Sequence, residues 1–111
     1  MSLVSKAEKI IDILGDIQGL KFYHLNKPAT VKAPYAVWQE DSEGRSQYAN
    51  NRKAEQVLEI TIDYFTKEEF DSMADSIQDA LNDAMVAWYL NSIQYEDETM
   101  LTHYEWIVQV I

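Results

Sequence analysis

No cysteine occurs among the 111 residues, and histidine (2), glycine (3) and proline (2) are scarce. Without cysteine the chain has no disulfides, no thiolate zinc site and no cysteine nucleophile, which is typical of a protein made in a cytoplasm. With three glycines it has no Gly-rich loop that could hold phosphate groups. No apolar run approaches the roughly 18–20 residues that a membrane-spanning helix needs. The sequence therefore predicts neither a thiol enzyme, nor a nucleotide-binding loop protein, nor a membrane protein.

Basic residues are also scarce in the last third of the chain. Residues 67–111 contain one Lys and ten Asp or Glu, and they carry −9 of the formal net charge of −10. Affinity for nucleic acid comes mainly from Lys and Arg side chains that displace counterions from phosphates. We therefore expect no sequence-specific binding of nucleic acid.

What the chain does contain is apolar material for one core, at 47% hydrophobic residues. A length of 111 residues favours a single domain, 1–111. The apolar periodicity predicts a helix in 3–17 and strands over 20–25, 35–40, 55–66, 90–96 and 100–111. The order α-β-β-β-α-β-β predicts an α+β fold, a mainly antiparallel four- to five-stranded sheet with two helices packed on it.

Three details of this prediction can be checked residue by residue. In the first helix, Lys6 lies off the predicted apolar stripe. In strand 55–66 strict alternation places Ile62 and Tyr64 in the core and Thr61 and Asp63 in solvent. The second helix is predicted to begin after Thr66, because "TKEE" matches a capping box, to include Phe70 in its core stripe and to run to about residue 85.

The stretch "DSMADSIQDALND" places an aspartate at every fourth position of the second helix. Like charges at this spacing repel by about 0.2–0.5 kcal/mol per pair in water, and burying four unpaired carboxylates would cost far more. We therefore expect an exposed acidic face. A simple solvated surface is favoured over contact with a partner's basic residues, or over a functional negative potential. The acidic-face candidates are Asp71, Asp75, Asp79 and Asp83.

The polar segment 41–54 is the second candidate region. It is predicted to be a long loop between two strands, and its basic residues contrast with the acidic chain. We expect it to be mobile in the isolated protomer and to order against a neighbouring molecule. A flexible connection without any binding role is equally consistent with these residues. The assembly-interface candidates are Arg45, Tyr48, Asn50, Arg52 and Lys53.

No catalytic pattern is present in the sequence. His24 and His103 lie in different predicted strands, where a lone histidine is more often structural than catalytic. No spacing matches a known metal-binding motif, and the acidic run 96–98 is expected to be a solvated hairpin turn rather than a cation site. The sequence therefore predicts no catalytic residue, no cofactor and no metal ligand.

From Pro34 onward the chain resembles the small head–tail junction proteins of long-tailed bacteriophages and prophages, the tail-terminator and tail-to-head joining proteins. "PYAVWQE" corresponds to a Pro-aromatic-Val strand, and Ala49-Asn50-Asn51 to a short loop element. The run Tyr64 to Lys67 corresponds to the end of a strand before a helix, and the final hairpin has an acidic tip followed by a His-Tyr pair.

This resemblance implies a structural protein of a phage tail or neck, found in the virion and, during assembly, in the host cytoplasm. Its protomers would form a ring, commonly a hexamer in this class of protein, in contact with the tail tube and the head connector. Negative walls would also keep DNA from binding inside such a channel. A small acidic binding module of the inhibitor or immunity type is the alternative, and a small hydrolase ranks last.

Overall fold

The computed structural model describes residues 2–44 and 56–111 and, between them, the backbone of 48–49 and 52–53. It contains two helices, α1 (Leu3–Gly15) and α2 (Ser72–Asp83). The strands are β1 (Phe22–His24), β2 (Tyr35–Glu43), β3 (Tyr48–Ala49), β4 (Arg52–Lys53), β5 (Leu58–Thr66), β6 (Ala87–Glu96) and β7 (Leu101–Val110).

Five of the strands form one sheet in the order β1-β2-β5-β7-β6. The short edge strand β1 runs parallel to β2, whereas all the other neighbours are antiparallel. The predicted α+β class and element order are therefore confirmed, with five strands in the main sheet. None of the helices in the described part of the chain is long and apolar enough to cross a membrane.

The core lies between one face of the sheet and the two helices. Alternate residues of β5 and β7 point toward the helices, as the period of two in a strand requires. Ile62 and Tyr64 are 0% and 1% exposed, which confirms their predicted place in the core. The helices contribute Ile10, Ile13, Leu14, Ile17, Ile77 and Leu81, and the strands contribute Ala36, Trp38, Leu58, Ile60, Ile62, Tyr64, Trp106, Val108 and Val110.

The predicted start of the second helix is wrong. Thr66 belongs to β5, where it is buried and pairs with Thr102 of β7, so it does not cap the helix. Phe70 has a positive φ of 55°, which no helix accommodates, and its side chain is 89% exposed rather than part of the core. Asp71 is the actual N-cap, because its side chain accepts a hydrogen bond from the Met73 N–H.

The predicted loop 41–54 is also partly wrong. Strand β2 continues to Glu43, because the backbone of Ser42 and Glu43 still pairs with β5 beyond a bulge at residues 40–42. Exposed polar residues fit such a strand end, since the ladder bonds are formed by the backbone. Strands β3 and β4 then pair as a small hairpin of their own. The remainder of this segment lies outside the described residues.

Two polar side chains that were predicted to be exposed are buried. Lys6 is 3% exposed because it lies on the same side of α1 as Ile10 and Ile13, and its Nζ donates to the backbone oxygen of Gln56. Thr61 is 7% exposed, and its hydroxyl donates to a carboxylate oxygen of Asp41. Each side chain has a hydrogen-bond partner far away in the sequence, which allows its burial.

Candidate functional site

A groove between the two helices collects several of the acidic residues. Asp12 and Asp16 line it from α1, Asp79 and Asp83 line it from α2, and Lys9 is the basic residue in its wall. Its volume is about 620 Å³. Four carboxylates and one ammonium group give it a strongly negative potential, which favours a basic or cationic partner over an anionic one.

The predicted acidic face divides into two parts in the structure. Asp75, Asp79 and Asp83 are exposed, as the sequence predicts for carboxylates that repel one another along the helix. Asp71 differs from these three aspartates, because it is only 9% exposed and is the N-cap of α2. The expectation of exposure is therefore confirmed for three aspartates and wrong for Asp71.

Asp71 joins the start of α2 to strand β5. Its Oδ2 accepts a hydrogen bond from the Tyr64 hydroxyl at 2.6 Å, and its Oδ1 accepts from the Met73 N–H at 2.9 Å. Burial alone would raise the pKa of Asp71, but hydrogen bonds from Tyr64, Met73 and Thr66 together lower it below the ordinary value. For Tyr64, burial and the bond to Asp71 raise the pKa. Asp71 is thus a structural carboxylate.

Strand β6 forms a long edge of the sheet. Within the described residues it pairs only with β7, so its outer backbone groups face away from the sheet. Edge strands of soluble proteins are usually short, or are protected by charged residues and proline. β6 spans ten residues and carries exposed apolar or aromatic side chains at Tyr89, Leu90, Ile93 and Tyr95. Such an edge is suited to pairing or packing with another chain.

An apolar surface lies where β6 passes beyond α2, and we call it the β6 patch: Phe70, Leu90, Ile93 and Tyr95. Their exposed fractions are 89%, 38%, 55% and 61%. Phe70, Leu90 and Ile93 border a groove of about 300 Å³ whose wall includes Trp106. Clusters of exposed apolar side chains, such as Phe70, Leu90 and Ile93 around this groove, are typical of interaction sites.

A cluster of polar side chains lies on the face of the sheet opposite the helices. Asp63 of β5 lies opposite Glu105 of β7, and His103 Nε2 lies 2.6 Å from Asp63 Oδ1. The other histidine, His24, forms a hydrogen bond with Glu40, and its ring stacks on that of Trp38 with 4.1 Å between the ring centroids. The sequence did not predict the cluster of Asp63, His103 and Glu105, because only the register of β5 and β7 brings these residues together.

The assembly-interface candidates of segment 41–54 are only partly covered by the structure. The backbone of Tyr48 pairs with that of Lys53, and the backbone of Ala49 pairs with that of Arg52. Arg45 and Asn50, and the side chains of the other candidates, lie outside the described residues. The hairpin tip, by contrast, is described, and Asp97 and Glu98 are exposed there, as expected of a solvated turn.

Comparison with known proteins finds no matching family model and no curated protein of similar sequence. The function must therefore be argued from the surfaces described above.

Proposed function

We propose that this chain is a structural assembly protein of a phage tail or neck. In this proposal its protomers form a ring, such as a hexamer, as a tail terminator or head–tail joining protein, and contact the tail tube and the head connector. It acts in the virion, and in the host cytoplasm during assembly, without catalysis. The resemblance of the chain from Pro34 onward suggests this class, and the surface of β6 supports it.

The observation that carries the proposal is the combination of an available strand edge with the β6 patch. Burying an exposed Ile or Leu side chain contributes about 1.5–3 kcal/mol relative to leaving it in water. Because Leu90 is 38% exposed and Ile93 is 55% exposed, a second copy that covers them would gain about half of this free energy per residue, together with backbone hydrogen bonds to the edge of β6. A contact between different surfaces of identical subunits closes into a ring when the rotation between neighbours permits it.

The charge distribution agrees with a role beside a DNA channel. With a formal net charge of −10, the protomer repels phosphate groups wherever its acidic surfaces meet them. A ring of such protomers would let DNA pass without binding it. The exposed aspartates of α2 and the acidic groove are the surfaces that would supply this repulsion.

The test is the oligomeric state of the purified protein over a range of concentrations, measured by analytical ultracentrifugation and electron microscopy. The wild type should form a closed ring of defined mass. Ile93→Glu introduces a charge into the β6 patch and should leave a folded protomer that no longer assembles. Neighbouring genes for capsid and tail proteins would support the same assignment.

Val4→Glu is the matched control, because Val4 is 65% exposed and lies in the first turn of α1, away from β6. It introduces the same charge and should assemble normally. A wild type that stays monomeric at high concentration would contradict the proposal, and so would an Ile93→Glu variant that assembles like the control.

The acidic groove favours a second candidate, a small binding module of the inhibitor or immunity type. Four aspartates around one groove would suit a basic protein partner. This alternative predicts a monomer whose complex with such a partner weakens as salt concentration rises, because exposed charges are screened. It also predicts that Asp79→Lys weakens the complex while Ile93→Glu leaves it unchanged.

A further inference from the structure

Three side chains with metal-binding atoms meet on the face of the sheet opposite the helices. Asp63 comes from β5, whereas His103 and Glu105 are two residues apart on β7 and therefore lie on the same face of that strand. One ligand atom from each residue lies within 4.8 Å of the other two. All three side chains are partly buried, so the sheet limits their freedom without closing them off from solvent.

The cluster has more negative charge than its neighbours balance. Asp63 and Glu105 are directly opposite each other, and within 2–44 and 56–111 neither forms an ion pair with Lys or Arg. Two facing carboxylates beside one imidazole match the charge of a divalent cation.

Contacts around the three residues hold them in position. Asn91 Nδ2 donates to Glu105 Oε2 at 2.6 Å, which orients the carboxylate of Glu105. The second ring nitrogen of His103, Nδ1, lies 3.8 Å from Glu96 Oε2, and the Phe65 ring stacks on the imidazole at 4.3 Å. Metal-binding histidines commonly donate their other ring N–H to a carboxylate, and Glu96 would have to move closer than 3.8 Å to accept such a hydrogen bond from Nδ1.

We propose that Asp63, His103 and Glu105 bind a divalent transition-metal ion, with Zn²⁺ as the best fit. One imidazole nitrogen and two carboxylate oxygens suit Zn²⁺ better than Mg²⁺ or Ca²⁺, which prefer oxygen ligands alone. Tetrahedral Zn²⁺ with bonds of about 2.0–2.2 Å spaces its ligands by about 3.3–3.6 Å. The three ligand atoms lie within 4.8 Å of one another, so side-chain rotation would have to bring them to that spacing, and water would complete the coordination. This inference is independent of the proposed assembly function.

The experiment uses the chelator-treated full-length protein without a histidine tag. Titration calorimetry with Zn²⁺ should give one site per chain, and Co²⁺ should give a visible absorption band that Zn²⁺ abolishes. His103→Gln and Asp63→Asn should each remove this binding. Asn91→Ala should weaken it by about 10–100-fold, the usual effect of losing a residue that orients a ligand.

His24→Gln is the matched control, because His24 also contacts a carboxylate and an aromatic ring but has one carboxylate partner instead of two. It should bind Zn²⁺ like the wild type. Circular dichroism checks that each variant is folded, and Glu105→Gln replaces any variant that is not. Binding that persists in His103→Gln, for instance in the acidic groove, would overturn the assignment, as would a wild type that binds no Zn²⁺.

Discussion

Replacing Asp71 tests whether this aspartate is a structural part of the fold. Asp71→Ala removes the N-cap of α2, a loss of about 0.5–2 kcal/mol. It also leaves the buried hydroxyl of Tyr64 without its acceptor, which costs about 1–3 kcal/mol more. We therefore expect the free energy of unfolding to fall by about 2–4 kcal/mol. Urea denaturation at pH 7, followed by tryptophan fluorescence, measures this change.

Asp75→Ala is the control, since Asp75 lies in the first turn of the same helix but is exposed. Its loss removes an interaction with the helix dipole, about 0.3–1 kcal/mol, and also relieves the i,i+4 repulsion from Asp71 and Asp79, so the net change should be small. Equal destabilisation by the two substitutions would refute the structural role of Asp71. The reasoning would also fail if Asp71→Ala were as stable as the wild type.

Asp71 should also make the stability of the folded protein depend on pH. The pKa of Asp71 is lowered in the folded state, so its carboxylate stabilises the protein fully above its unfolded pKa, near the ordinary 3.8. This contribution is lost as the pH falls from there through the lower folded pKa. Asp71→Asn keeps an acceptor oxygen but cannot ionise. Its stability difference from the wild type should therefore shrink below about pH 4, and a difference independent of pH would contradict the shift.

Three further substitutions test the exposed and buried faces, each by denaturant unfolding. Asp79→Lys converts two repulsive i,i+4 pairs into attractive ones. It should stabilise the protomer by about 0.5–1 kcal/mol at low salt and by less at high salt. A loss of stability would show that Asp79 is not exposed. Ile62→Ala should cost about 2–5 kcal/mol because the side chain is fully buried. Thr61→Val removes the hydrogen bond to Asp41 at nearly constant volume and should cost about 1 kcal/mol, so a loss as large as that of Ile62→Ala would contradict this ordinary value for the hydrogen bond.

The fold could be predicted from the sequence where the apolar pattern alone determines burial. In β5 the period of two places Ile60, Ile62 and Tyr64 on the same face, and the structure buries all three. The helix periodicity failed at Lys6, because a pattern read from residue types treats every Lys as exposed. The acceptor that permits its burial, the backbone oxygen of Gln56, is far away in the sequence.

The candidate sites were harder to predict, because they depend on which strands are neighbours. Alternation in β6 and β7 predicts a hairpin, but it cannot show that β6 forms the edge of the sheet and β7 lies inside it. The same limit hid the relation between Asp63 and His103, which belong to strands separated by α2 and β6. Local signals also misled at Thr66, where a capping-box match coincides with the end of a strand.

The position of β7 between β5 and β6 has a consequence for the rate of folding. Its pairing with β6 closes only the short turn 97–100, whereas its pairing with β5 closes the segment 67–101. That segment is about eight times as long as the turn. These three doublings of loop length add about 2 kcal/mol of loop-closure entropy. We expect the β6–β7 hairpin to form early and the β5–β7 ladder to limit the rate. In stopped-flow refolding, Val108→Ala should then slow folding more than Ile93→Ala, and the opposite order would show that the hairpin is the slow step.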